Sequence, residues 1–118
     1  MNEAISNILS RRSTKSYKPD MLPSDVLDAI LEAGKCAPTG RGNQSPIIIA
    51  VTNKELRDRL SMMNAEIMGY DGDPFYGAPV ILIVIADATV NTAVYDGSLA
   101  LGNMMLMVTA CTTIMYMA

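Results

Sequence analysis

Val80-Ile81-Leu82-Ile83-Val84-Ile85 is an aliphatic run with no polar residue inside it. A strand with one wet face alternates apolar and polar side chains, so this run predicts a strand covered on both faces. Helices must supply that cover. A second buried strand is predicted at Ile47 to Thr52, which is apolar and rich in β-branched residues.

The helices follow from spacing and punctuation. Ala4, Ile5, Ile8 and Leu9 recur at helical intervals, predicting a short amphipathic helix over residues 2 to 10. Pro23-Ser24-Asp25 starts a second helix, with Val26, Leu27, Ile30, Leu31 and Gly34 on one apolar face through residue 35. The segment from Ala37 to Pro46 contains two prolines and two glycines and reads as a loop. Asn53 is a suitable N-cap for a third helix that carries Leu56, Leu60, Met63 and Ile67 on one side. Gly69 to Pro79 then breaks the chain with further glycines and prolines. Two helices precede any strand, and the interleaving predicts a single α+β domain over residues 1 to 118.

From Gly97 to Ala118 there is no charged residue, about the length of a transmembrane span. Asn103, Thr109, Thr112 and Thr113 interrupt it, and no Lys or Arg follows to anchor an inner end. A helix buried in a core or at a subunit interface is the favoured reading, and a tail-anchored membrane module is the alternative. The run has no cap or polar tail at Ala118, so the sequence reads as cut short there.

Chemistry is constrained first by what is missing. The 118 residues include no histidine, which excludes Ser-His-Asp and Cys-His catalysis, His-bearing zinc sites and His proton shuttles. Cys36 and Cys111 lack the spacing of a metal-ligand pair, and the N-terminus lacks the pattern of a signal peptide, so a reduced, cytoplasmic protein is expected. Four of the nine basic residues nevertheless fall within Arg11-Arg12-Ser13-Thr14-Lys15-Ser16-Tyr17-Lys18, in a chain of formal net charge −3. Guanidinium forks, an ammonium and hydroxyls suit a phosphate. Nucleic acid would ask for a wider basic surface, so a phosphorylated small molecule is the expected ligand, with a solvated basic turn as the plain alternative.

Four segments together carry a family resemblance. They are Arg11 to Tyr17; Ala37-Pro38-Thr39-Gly40 with Gln44; Gly77-Ala78-Pro79 leading into the apolar strand; and Asp96-Gly97-Ser98 through Leu106. No one of them is specific, but in this order and spacing the chain resembles the N-terminal portion of the FMN-dependent nitroreductase family. The resemblance implies helices packed around a mixed β-sheet. It also implies a homodimer that passes electrons from NAD(P)H through FMN to a nitroaromatic or quinone. Arg11, Ser13 and Lys15 match the residues that hold the FMN phosphate and flavin edge, with Arg12 between them. Pro38, Thr39 and Gly40 match the loop that covers the flavin from the other subunit. Tyr17, Tyr70, Phe75 and Tyr76 are candidates to pack around flavin or substrate, though core or rim positions are the more common fate of such residues. Two departures stand out: Asn43 is the amide nearest to the position where the family carries Asn, occupied here by Gly42, and Ser45-Pro46-Ile47 replaces a Pro-Trp pair after Gln44. After Leu106 the family's glycine-rich turn and later basic residues have no counterpart, so a flavin-binding fragment without turnover is the alternative.

Overall fold

A computed structural model describes residues 2–110 of the chain. The element order is α1 (Glu3–Ser10), α2 (Ser24–Lys35), β1 (Ile47–Val51), α3 (Lys54–Met68), β2 (Ile81–Ile85) and α4 (Ala93–Ala110), with a single 3-10 turn at Gly40–Gly42 between α2 and β1. Every predicted element is present and the α+β expectation holds. Residues 111–118, with Cys111 and the end of the uncharged run, lie outside the described residues. Among the described residues no helix is long and apolar enough to cross a membrane.

The two strands pair antiparallel, Ile47 opposite Ile85 and Val51 opposite Ile81. The parallel pairing that a mixed sheet requires is not found among the described residues. Side chains alternate between faces, so Ile48, Ala50, Leu82 and Val84 share one side. That side meets α2 and α4, and the fully buried Ile30, Leu82, Val80 and Met104 form the centre of the core. Gly34 of α2 lets α4 approach closely: a Cβ there would lie 2.7 Å from Ile48 Cδ1 and 2.9 Å from Met104 Sδ. Asn103 secures the same contact by donating a side-chain hydrogen bond of 3.0 Å to the Ala33 carbonyl.

The opposite face is covered unevenly. Val51 and Ile81 are buried, but Ile47 is 61% exposed and Ile85 49% exposed. The double cover predicted for the aliphatic run therefore holds at its beginning and fails at its end.

Helix ends obey local chemistry more closely than helix faces do. Asn2 and Asn53 cap α1 and α3 by accepting the amide hydrogens of Ile5 and Leu56. Gly69 ends α3 in the left-handed conformation at φ 65°. The expected apolar stripe of α3 is corrected, however: Leu56, Met63 and Ile67 are exposed, and the buried positions are Arg57 and Ser61. α1 likewise buries no residue, with Ile5, Ile8 and Leu9 all exposed. It is tied to α4 by Asn7, whose amide donates to the Leu106 carbonyl at 2.8 Å.

Candidate functional site

α1 ends at Ser10, and the basic segment leaves it in extended conformation, Arg11 having φ −58° and ψ 137°. Arg11, Arg12, Ser13 and Lys15 are exposed, and all four line a cavity of about 480 Å³. The sequence-predicted anion residues are therefore brought together. They do not have the same freedom: Arg12 donates to the Leu9 and Arg11 carbonyls at 2.9 Å, satisfying the C-terminal end of α1.

Most of the remaining lining is apolar and aromatic: Phe75, Tyr76 and Val80 from the segment before β2, Ile81 from the start of that strand, and Met105 and Val108 from α4, with Asn64 and Thr109 as polar exceptions. Tyr17 lines it as well, with its hydroxyl donating to the Thr14 carbonyl. Tyr70 is exposed and is not among the lining residues. A phosphate-bearing planar aromatic molecule matches this division, with cations and hydroxyls for the anion and a low-polarity wall for the ring.

The predicted covering loop is elsewhere. Thr39 lines a second cavity of about 450 Å³ with Lys35, Gln44, Ile47 and Asp96, while Pro38 is exposed beside it. Asp96 is buried at 2% exposure and fixes this loop, accepting the Gly40 amide hydrogen at 2.9 Å and the Thr92 hydroxyl at 2.8 Å. The Thr39 hydroxyl accepts the Gln44 amide hydrogen at 2.9 Å. Within one chain, then, the basic segment and the Pro38-Thr39-Gly40 loop do not share a cavity.

The polar centre beneath the first cavity was not foreseen. Asp73 accepts hydrogen bonds from the Arg57 guanidinium, from the Ser61 hydroxyl at 2.8 Å, and from the amides of Phe75 at 2.9 Å and Gly77 at 2.8 Å. Arg57 also donates from Nε to the Ala78 carbonyl at 2.7 Å, and its guanidinium carbon sits 5.7 Å from the centre of the Phe75 ring. Partial burial works to raise the Asp73 pKa, but the Arg57, Phe75, Ser61 and Gly77 hydrogen bonds outweigh it and bring the carboxyl down to about 2. Two signals for this centre exist in the sequence: Arg57 and Ser61 are four residues apart, hence on one helical face, and Asp73 opens a Gly/Pro-rich turn.

The model of the nitroreductase family matches residues 8–70, more than half of the chain. The FMN reductase [NAD(P)H] of Bacillus subtilis is 35% identical over 88 residues, 74% of this chain and 33% of that protein. A putative NADH dehydrogenase/NAD(P)H nitroreductase of Methanothermobacter thermautotrophicus is 29% identical over 88% of this chain and 54% of its own. Solved structures of nitroreductases with bound FMN superimpose closely. That from Bacteroides fragilis has 31% identity and a TM-score of 0.81, and that from Desulfitobacterium hafniense has 30% and 0.83. Each aligns with 94% of this chain and 66% of its own length. The chain thus spans from a third to about half of the curated relatives and just under two thirds of these structures.

Proposed function

The chain belongs to the nitroreductase family, and from that premise we propose that it holds FMN in the larger cavity and passes electrons from NAD(P)H to a nitroaromatic or quinone-type acceptor. The observation that carries this reading is the lining of that cavity, basic and hydroxylic where residues 11–15 contribute and mostly apolar and aromatic elsewhere. Arg11, Ser13 and Lys15 would hold the phosphate and the polar edge of FMN. Phe75, Tyr76, Val80 and Ile81 would exclude water from its ring. The two-electron chemistry is what bound FMN supplies, so the lack of histidine is no obstacle and no side chain is needed as nucleophile or general base. With FMN bound, Lys15 and its neighbours would supply positive charge to offset the anionic reduced flavin.

The reading includes a homodimer. The Pro38-Thr39-Gly40 loop would cover the flavin of the other subunit, which is in keeping with its separation from Arg11 and Lys15 within one chain. NAD(P)H as donor fits a cytoplasmic location. The test is to titrate the protein with FMN, following flavin fluorescence, and then to follow NADPH oxidation with a nitroaromatic acceptor. Saturable binding with acceptor-dependent oxidation is expected. Binding without oxidation would make the chain a flavin-binding unit without turnover. Absence of binding overturns the proposal.

A further inference from the structure

We propose that Arg57, Ser61 and Asp73 form a positioning clasp: by fixing the turn from Asp73 to Ala78 they set the aromatic wall of the larger cavity and, through that wall, the backbone of the basic segment. The clasp grips the turn at several points. Asp73 takes the Phe75 and Gly77 amides, Arg57 takes the Ala78 carbonyl, and the Tyr76 amide closes onto the Asp73 carbonyl at 3.1 Å. α3 contributes Arg57 and Ser61 from its buried face, so the turn is anchored to a helix rather than only to itself.

The turn holds a conformation that needs such support. Tyr76 has φ 54° and is followed by Gly77 at φ 80°. Glycine adopts this region readily, but a tyrosine does so only where its surroundings over-determine it. The Tyr76 carbonyl accepts the Tyr17 amide hydrogen at 3.3 Å, joining the turn to the end of the basic segment. Release of the clasp lets Tyr76 return to negative φ, which swings that carbonyl away from Tyr17. A partly buried ion pair such as Arg57–Asp73 is weak as a source of stability and better suited to fixing one geometry. Here the geometry fixed is the spacing between the two sides of the cavity.

The clasp stands on contacts within the chain, whereas its consequence for ligand rests on the FMN reading above. The experiment separates the two by measuring amide hydrogen exchange without flavin and FMN affinity with it, in the parent, Asp73→Asn and Ser61→Ala. In Asp73→Asn, exchange at Phe75, Gly77 and Tyr17 is expected to accelerate on the order of tenfold while Ile81–Ile85 stays protected. FMN affinity should fall by about tenfold as the two walls lose register. Faster exchange at Phe75 and Gly77 with Tyr17 unchanged overturns the coupling, as does FMN affinity equal to the parent's. Should Asp73→Asn unfold, shown by loss of protection in β2, the decision passes to Ser61→Ala, which leaves the Arg57–Asp73 pair in place. A selective rise at Tyr17 supports the clasp, and no rise refutes it. A parent chain that binds no FMN defeats the functional reading alone, since the exchange pattern still decides the clasp.

Discussion

Arg11 and Arg12 are neighbours with different tasks. The Arg12 guanidinium is turned back on the end of α1, whereas Arg11 makes no such bond among the described residues. Losing a charged hydrogen bond to phosphate should cost roughly 1.5 to 3 kcal/mol, or about ten- to a hundredfold in affinity. Arg11→Ala is expected to weaken FMN binding by that factor, and Arg12→Ala by less, in parallel fluorescence titrations. Equal affinity for Arg11→Ala and the parent would remove the phosphate role. At Gly34 the expected effect is on stability instead. Because a Cβ there meets Ile48 and Met104 at under 3 Å, Gly34→Ala should lower the unfolding free energy by about 1 to 3 kcal/mol in urea denaturation. The position of Gly34 on an apolar face is legible from spacing. Its closeness to α4 is not, because that depends on a methionine seventy residues away in sequence.

At the scale of elements, α3 shows how periodicity misleads. Leu56, Leu60, Met63 and Ile67 recur as a buried stripe should, yet the helix turns Arg57 and Ser61 inward because Asp73 offers a carboxylate there. Burying that guanidinium is favourable only with its partner present, and the partner lies outside any helical window. The cap at Asn53 and the break from Gly69 were legible because both are local chemistry. The Asp73 contacts also predict an acid limb in stability. Its pKa is depressed from 3.8 to about 2 on folding, so its contribution is fully present above pH 3.8 and is lost as pH falls toward 2. The loss amounts to at most about 2 kcal/mol. Urea unfolding measured from pH 5 to pH 2 should show this decline in the parent and a flatter profile in Asp73→Asn. Identical profiles would mean that the carboxylate is not stabilised by the fold.

For the whole molecule, the largest unsatisfied feature is apolar surface. Ile47, Ile49 and Ile85 leave one end of a sheet face open, and Ile8, Leu9, Val94 and Tyr95 add further exposed side chains on α1 and α4. The chain is expected to self-associate in sedimentation experiments, and Ile47→Lys to weaken that association while leaving its circular dichroism unchanged. A single monomeric species at high concentration would count against it. Hydropathy marks these residues as needing cover, but it does not say which chain provides it, which is why the double cover of the Val80–Ile85 run was only half met. The placement of Arg11 and Thr39 in different cavities has a genetic consequence under the dimeric reading. A lesion in the basic segment and a lesion in the loop would damage different halves of a composite site. At an FMN concentration too low to load either alone, Arg11→Ala and Gly40→Val should then complement when co-expressed, since each mixed pair reunites one intact segment with one intact loop. Random pairing restores about a quarter of the parental sites. Two alleles with lesions in the same segment should restore none.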